Sequence, residues 1–202
     1  MKSPFLELPT LRPATAFARQ LGMYALLSVA IATAALLLRG ALPRIRIAPA
    51  LADFGLGLAG IVAYAAYNAL FPVLLSATAA GRELLALLAT RNQTLFGKLP
   101  LWTMLLMAAL AGVCEEILFR GWLQPLFGLW LASFLFALVH FPPNRYAWRH
   151  PATWAMVALY FPVGLALGWL YLWRANLLAP MVAHALSDSL GLFALSRVRA
   201  AG

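Results

Sequence analysis

The chain has 202 residues, of which 64% are hydrophobic and 10% charged, with a formal net charge of +9. A soluble domain of this length carries about a quarter charged residues, so water-facing globular enzymes, disordered regulators and disulfide scaffolds are excluded. The single cysteine, Cys114, allows no intrachain disulfide and reads as a small buried apolar residue.

Charge-free runs mark candidate spans in chain order: 20–38, 54–81, 99–114, 121–144, 150–173 and 175–196, the last holding only Asp188. About 20 apolar residues cross a hydrocarbon core of roughly 30 Å as a helix. The expectation is an all-α fold: a polytopic transmembrane bundle of about six helices in a single integral membrane domain over 1–202. No cleavable leader is expected, because Lys2, Glu7, Arg12 and Arg19 precede the first run without a suitable cleavage site. Pro72 is expected to kink the second span, and a short interfacial helix is expected between Arg82 and Pro100.

The basic residues gather at span ends, which is the pattern of membrane orientation and not of nucleic-acid binding. With the N-terminus inside, ten basic residues fall on the inner side and five on the outer. Both termini are therefore expected in the cytoplasm, with the protein in a bacterial-type plasma membrane, its surroundings lipid.

The acids behave differently. Three of six, Glu115, Glu116 and Asp188, lie within or beside apolar runs, as do His140 and His184. Ionisable groups at membrane depth cost several kcal/mol and face a cavity or a partner. Glu116 and Arg120 are four apart on a helical face, in the favourable order for an ion pair. Glu115, rotated by about 100° from Glu116, is left for another task. Phe136 is expected to pack beside the His140 imidazole four residues on, and His184 to hydrogen-bond Asp188, also four residues on. A carboxylate with a nearby imidazole is a general base for water, and a second imidazole can donate to an oxyanion. One Glu and two His also match a hydrolytic zinc site in ligand type, with Glu115, His140 and His184 as the candidate ligands. His150 reads as a solvated loop residue, the aromatic residues from Trp154 to Trp173, Tyr160 among them, as interfacial belts, and Gly164-x-x-x-Gly168 as a close-packing spacing.

The stretches Glu115-Glu116-Ile117-Leu118-Phe119-Arg120, Phe136-Ala137-Leu138-Val139-His140 and His184-Ala185-Leu186-Ser187-Asp188, in this order on successive apolar spans, resemble the CPBP family of CAAX-processing, bacteriocin-processing and abortive-infection intramembrane proteases. The resemblance covers roughly 99–195 and includes Asn176 and Pro180 ahead of His184. It implies a peptide or protein substrate cut at or within the membrane. Glu115 would activate water with help from His140, Glu116 would be held by Arg120, and His184 with residue 188 would stabilise the oxyanion. Residue 188 is often Asn in that family. Asp188 here cannot donate when ionised and would instead orient His184 or stay protonated. Other expectations are a non-proteolytic scaffold or immunity protein retaining the motif, and a small ion-coupled transporter. One geometric tension stands: turning the chain near residue 125 leaves His140 about 10 Å from the level of Glu115. Tilt, or a break at Gly121 and Pro125, would close that distance.

Overall fold

A computed structural model describes residues 46–96, 99–140 and 151–200, with a few helical positions between 22 and 33. The expected first span, His150, Arg145 and Arg149 lie largely or wholly outside the described residues. Among those residues the protein is all-α: α1 Leu51–Ser76, α2 Ala79–Phe96, α3 Leu101–Glu116, a π-helical segment Ile117–Leu123, α4 Gln124–Val139, α5 Pro151–Arg174 and α6 Leu178–Ala200. Three stretches are long and apolar enough to cross a membrane, Leu51–Ser76, Leu101–Val139 and Trp154–Arg174, and Leu178–Phe193 is a shorter apolar helix. The chain is an integral membrane helix bundle; the count of six spans is not reached among the described residues.

The broad exposure of large side chains follows from this setting. Leu51, Val62, Val73, Trp102, Trp130 and Val139 stand outward, where lipid tails take the place of water and an outward apolar side chain carries no hydrophobic cost. Helices in lipid associate through close fit, so small residues mark the contacts. A Cβ on Gly57 would come within 2.6 Å of the Val182 Cβ, and one on Gly112 within 2.7 Å of the Ala185 Cβ. These two positions let α1 and α3 close on α6, the helix that carries His184.

Three local features add to the sequence expectations. The region 82–100 is mostly filled by α2, an 18-residue helix that begins at Ala79. α1 includes Pro72 and runs as one helix to Ser76; a proline inside a helix removes one ladder bond, which a membrane helix tolerates. The stretch 112–121 is not α-helical throughout, since the wider π turns begin at Ile117. Such insertions recur at functional sites, and this one buries the consecutive residues Phe119, Arg120 and Gly121.

The long stretch Leu101–Val139 does not run straight. Gly128 has φ 80° and ψ 168°, a conformation that divides α4 and is essentially confined to glycine. The chain folds back there. Phe119 meets Phe136 edge-to-face at 5.3 Å, and Glu115 meets His140; both pairs are symmetric about Gly128 to within a residue. The limbs from Glu115 to Gly128 and from Gly128 to His140 are each roughly 18–20 Å long. Each residue by which the turn moves along the chain shifts the levels by about 3 Å. Placing it at Gly128 rather than Pro125 therefore removes nearly the whole expected offset.

Candidate active site

Glu116 and Arg120 are completely enclosed, at 0% and 1% exposure. Arg120 Nη1 donates to Glu116 Oε1 at 3.0 Å and Nη2 donates to the Gly164 carbonyl at 2.9 Å. The guanidinium carbon lies 4.4 Å from the Phe136 ring centre, a cation–π contact strengthened by the absence of water. A buried charge needs such compensation on every side.

The same Glu116 oxygen faces His184 Nδ1 at 2.8 Å, and His184 Nε2 stands 3.5 Å from Asp188 Oδ2. A chain Arg120–Glu116–His184–Asp188 thus crosses from the π segment to α6. Asp188, 37% exposed, is its open end. The expected partnership of His184 with Asp188 is present at ion-pair distance; that with Glu116 is shorter and was missed by local spacing, because the partners are 68 residues apart.

Glu115 and His140 form the second group. His140 Nδ1 lies 2.7 Å from the Phe136 carbonyl. A carbonyl only accepts, so Nδ1 carries a hydrogen, and in the neutral ring the lone pair sits on Nε2. Nε2 is 3.9 Å from Glu115 Oε2, beyond direct hydrogen-bond reach. Phe136, 1% exposed, joins both groups: its ring is 4.6 Å from His140 and 5.7 Å from His184. The expected Phe136–His140 packing is there, and the ring also meets His184 edge-to-face.

The zinc expectation meets an unfavourable donor set. Among the described residues, no three of His, Cys, Asp and Glu are grouped so as to hold a metal ion. His184 is turned between two carboxylates while Glu115 faces His140, so Glu115, His140 and His184 do not converge on one point. No step below is routed through a metal.

Several participants had no assigned role in the sequence reading. Gly164 and Gly168 were expected to permit packing; their carbonyls also accept, from Arg120 and from Gln124 Nε2 at 2.9 Å. Tyr160, expected in an interfacial belt, stacks on His140 at 4.4 Å with the rings 21° apart. Behind α6, Asp53 is buried and binds Arg174 Nε at 2.5 Å and Asn176 Nδ2 at 2.6 Å. Asn176 also takes Ala48 N–H on its oxygen and gives its amide hydrogen to the Ala48 carbonyl, at 3.1 and 2.8 Å. This clamp ties the chain before α1 to the start of α6. The one signal for it in sequence was an acid at the head of an apolar run. Cys114 is buried with Ala111 against Leu110.

Residues 97–190 match the family described as type II CAAX prenyl endopeptidase Rce1-like. The uncharacterized protein YpbD of Bacillus subtilis (strain 168) is 35% identical over 98 residues, covering 48% of each chain. The alignment thus spans about half the length of that relative. No solved structure matches. All the motif residues, from Glu115 to Asp188, fall inside the matched segment, and over residues 97–190 the chain is similar to the Rce1-like family of type II CAAX prenyl endopeptidases.

Proposed function

We propose that the protein is an intramembrane endopeptidase that hydrolyses a peptide bond with water activated by Glu115 and His140. The observation that carries this reading is the approach of His140 Nε2, bearing its lone pair, to the Glu115 carboxylate at 3.9 Å. A water hydrogen-bonded to both atoms at about 2.8 Å would subtend roughly 90° between them, a bent but acceptable bridge.

Glu115 takes a proton from that water as its oxygen attacks the substrate carbonyl carbon. The carbonyl π electrons move to oxygen, and His184 on the facing side is the donor to the resulting oxyanion. With an acid beside each ring nitrogen, both nitrogens of His184 are placed to donate. Asp188 at the open end yields its place at Nε2 most easily, being partly exposed. Collapse of the tetrahedral intermediate breaks the C–N bond, and the proton held by Glu115 goes to the leaving amine. Glu116 and Arg120 do not touch the reacting atoms; they hold His184 and the π segment in place. The substrate is a peptide or protein segment reaching the membrane, a C-terminal or leader segment, and the membrane is a bacterial-type plasma membrane with both termini cytoplasmic.

Purified protein with Glu115→Gln or His184→Gln, presented with peptide libraries in lipid nanodiscs, tests this reading. Removing a general base lowers turnover by 10²–10⁴-fold. Cleavage by both variants at the wild-type rate overturns the assignment. A chelator arm with metal analysis of the same preparation reports whether a metal takes part.

A further inference from the structure

The face of α5 that meets the site repeats every four residues. Tyr160 stacks on the His140 ring. One turn on, the Gly164 carbonyl accepts from Arg120; one turn further, the Gly168 carbonyl accepts from Gln124. Residues four apart share a helical face, so one side of α5 holds three side chains contributed by the fold-back around Gly128. A Cβ at Gly164 would lie 3.1 Å from Ser133 Cβ and 3.2 Å from Phe136 Cδ1, and one at Gly168 would lie 2.5 Å from Gln124 Oε1. The two glycines therefore set α5 close enough for the next turn up to press against His140. Tyr67 Oη, which donates to the Leu159 carbonyl at 2.8 Å, fixes α5 from the α1 side beside Tyr160.

His140 carries this contact beside a backbone hydrogen bond. Its Nδ1 is anchored to the Phe136 carbonyl, but Nε2 is too far from Glu115 for a direct hydrogen bond to fix that approach. Rotation about the last side-chain bond would carry Nε2 away. Two rings resist the rotation: Phe136 at 4.6 Å, tilted by 59°, and Tyr160 at 4.4 Å, nearly parallel at 21°. A parallel neighbour hinders rotation of the imidazole out of its plane more than a tilted one does.

We propose that Tyr160 is a positioning residue, its ring holding the His140 imidazole so that Nε2 faces Glu115, with the Gly164 and Gly168 contacts fixing its height. This rests on the reading of His140 as a partner of the catalytic base. The contact with His140 is made by the aromatic face, so Tyr160→Phe is expected to restore what Tyr160→Leu removes.

The test has two readouts on full-length protein in nanodiscs. The chain has three histidines, so ¹⁵N-histidine labelling gives few signals, and His140→Gln identifies those of residue 140. Wild type and Tyr160→Phe are expected to show one protonated and one unprotonated ring nitrogen for His140; Tyr160→Leu is expected to show averaged signals. In peptide cleavage, Tyr160→Leu is expected to lower kcat 10- to 100-fold with KM within about twofold, as misplacement of a reacting group does, while Tyr160→Phe keeps kcat within about threefold. If Tyr160→Leu leaves the His140 signals fixed and kcat unchanged, or if Tyr160→Phe loses as much as Tyr160→Leu, the proposal is overturned. Should Glu115→Gln and His184→Gln both cleave as wild type, the catalytic reading fails by itself, and the nitrogen signals still decide whether Tyr160 holds the ring.

Discussion

Gly128→Ala isolates the backbone conformation on which the site depends. A Cβ at Gly128 would meet nothing within 4 Å, so no steric contact opposes the substitution. The whole effect comes from φ 80° and ψ 168°, a region that costs an L-residue about 1–3 kcal/mol. Gly191 supplies the control. It also has open space around its Cβ position, but it lies within the regular α6 helix. There alanine is expected to stabilise by up to about 1 kcal/mol, because it restricts the unfolded chain more than glycine does. The two substitutions add the same methyl group and differ in sign, with a gap of about 2–3 kcal/mol. Reversible unfolding in mixed micelles, followed by tryptophan fluorescence, measures both. Moving the turn by one residue also shifts Glu115 against His140 by about 3 Å, so whatever Gly128→Ala protein remains folded is expected to lose cleavage more than stability. Equal stability of Gly128→Ala and Gly191→Ala would refute the backbone argument and with it the account of how the two limbs meet.

Other expectations follow from the buried polar contacts. Arg120→Met removes the enclosed partner of Glu116 and is expected to destabilise by about 3–5 kcal/mol, seen as loss of monodisperse protein on gel filtration; Glu116→Gln/Arg120→Met recovers most of that loss without recovering activity. Gly168→Ala pushes the Gln124 amide and the Leu129 methyl, both flexible ends, and is expected to cost about 1 kcal/mol in thermal unfolding. Asn176→Leu strips partners from Asp53 and from the Ala48 backbone and is expected to cost about 2 kcal/mol, with faster proteolysis near residues 46–50 as the second readout.

Phe136, His140 and the Glu116–Arg120 pair were legible because their partners are four residues away on the same helix, where spacing alone sets proximity. His184–Glu116 and Arg120–Gly164 were not, since contacts across 68 and 44 residues depend on which helices adjoin. The position of Gly128 left a trace that could have been read: it lies midway between Glu115 and His140, where a fold-back must turn if those residues are to meet. Gly121 and Pro125 drew attention as stronger helix breakers, yet Gly121 sits within the π segment and Pro125 opens α4, where a missing N–H costs little. Tyr160 was hidden among aromatic residues whose placement near the ends of an apolar run has an ordinary explanation in the membrane interface.

By itself the sequence determined that this is a helical membrane protein and which few ionisable side chains lie within its apolar stretches. Apolar length sets the spans, and the cost of charge at membrane depth leaves ionisable residues only where something holds or uses them. The tertiary structure decided how those residues divide: Glu116 enclosed between Arg120 and His184, and Glu115 directed at His140. That division follows from the direction in which each limb leaves Gly128 and from how closely glycine lets α5 approach, and neither is set by residues within a single helical turn.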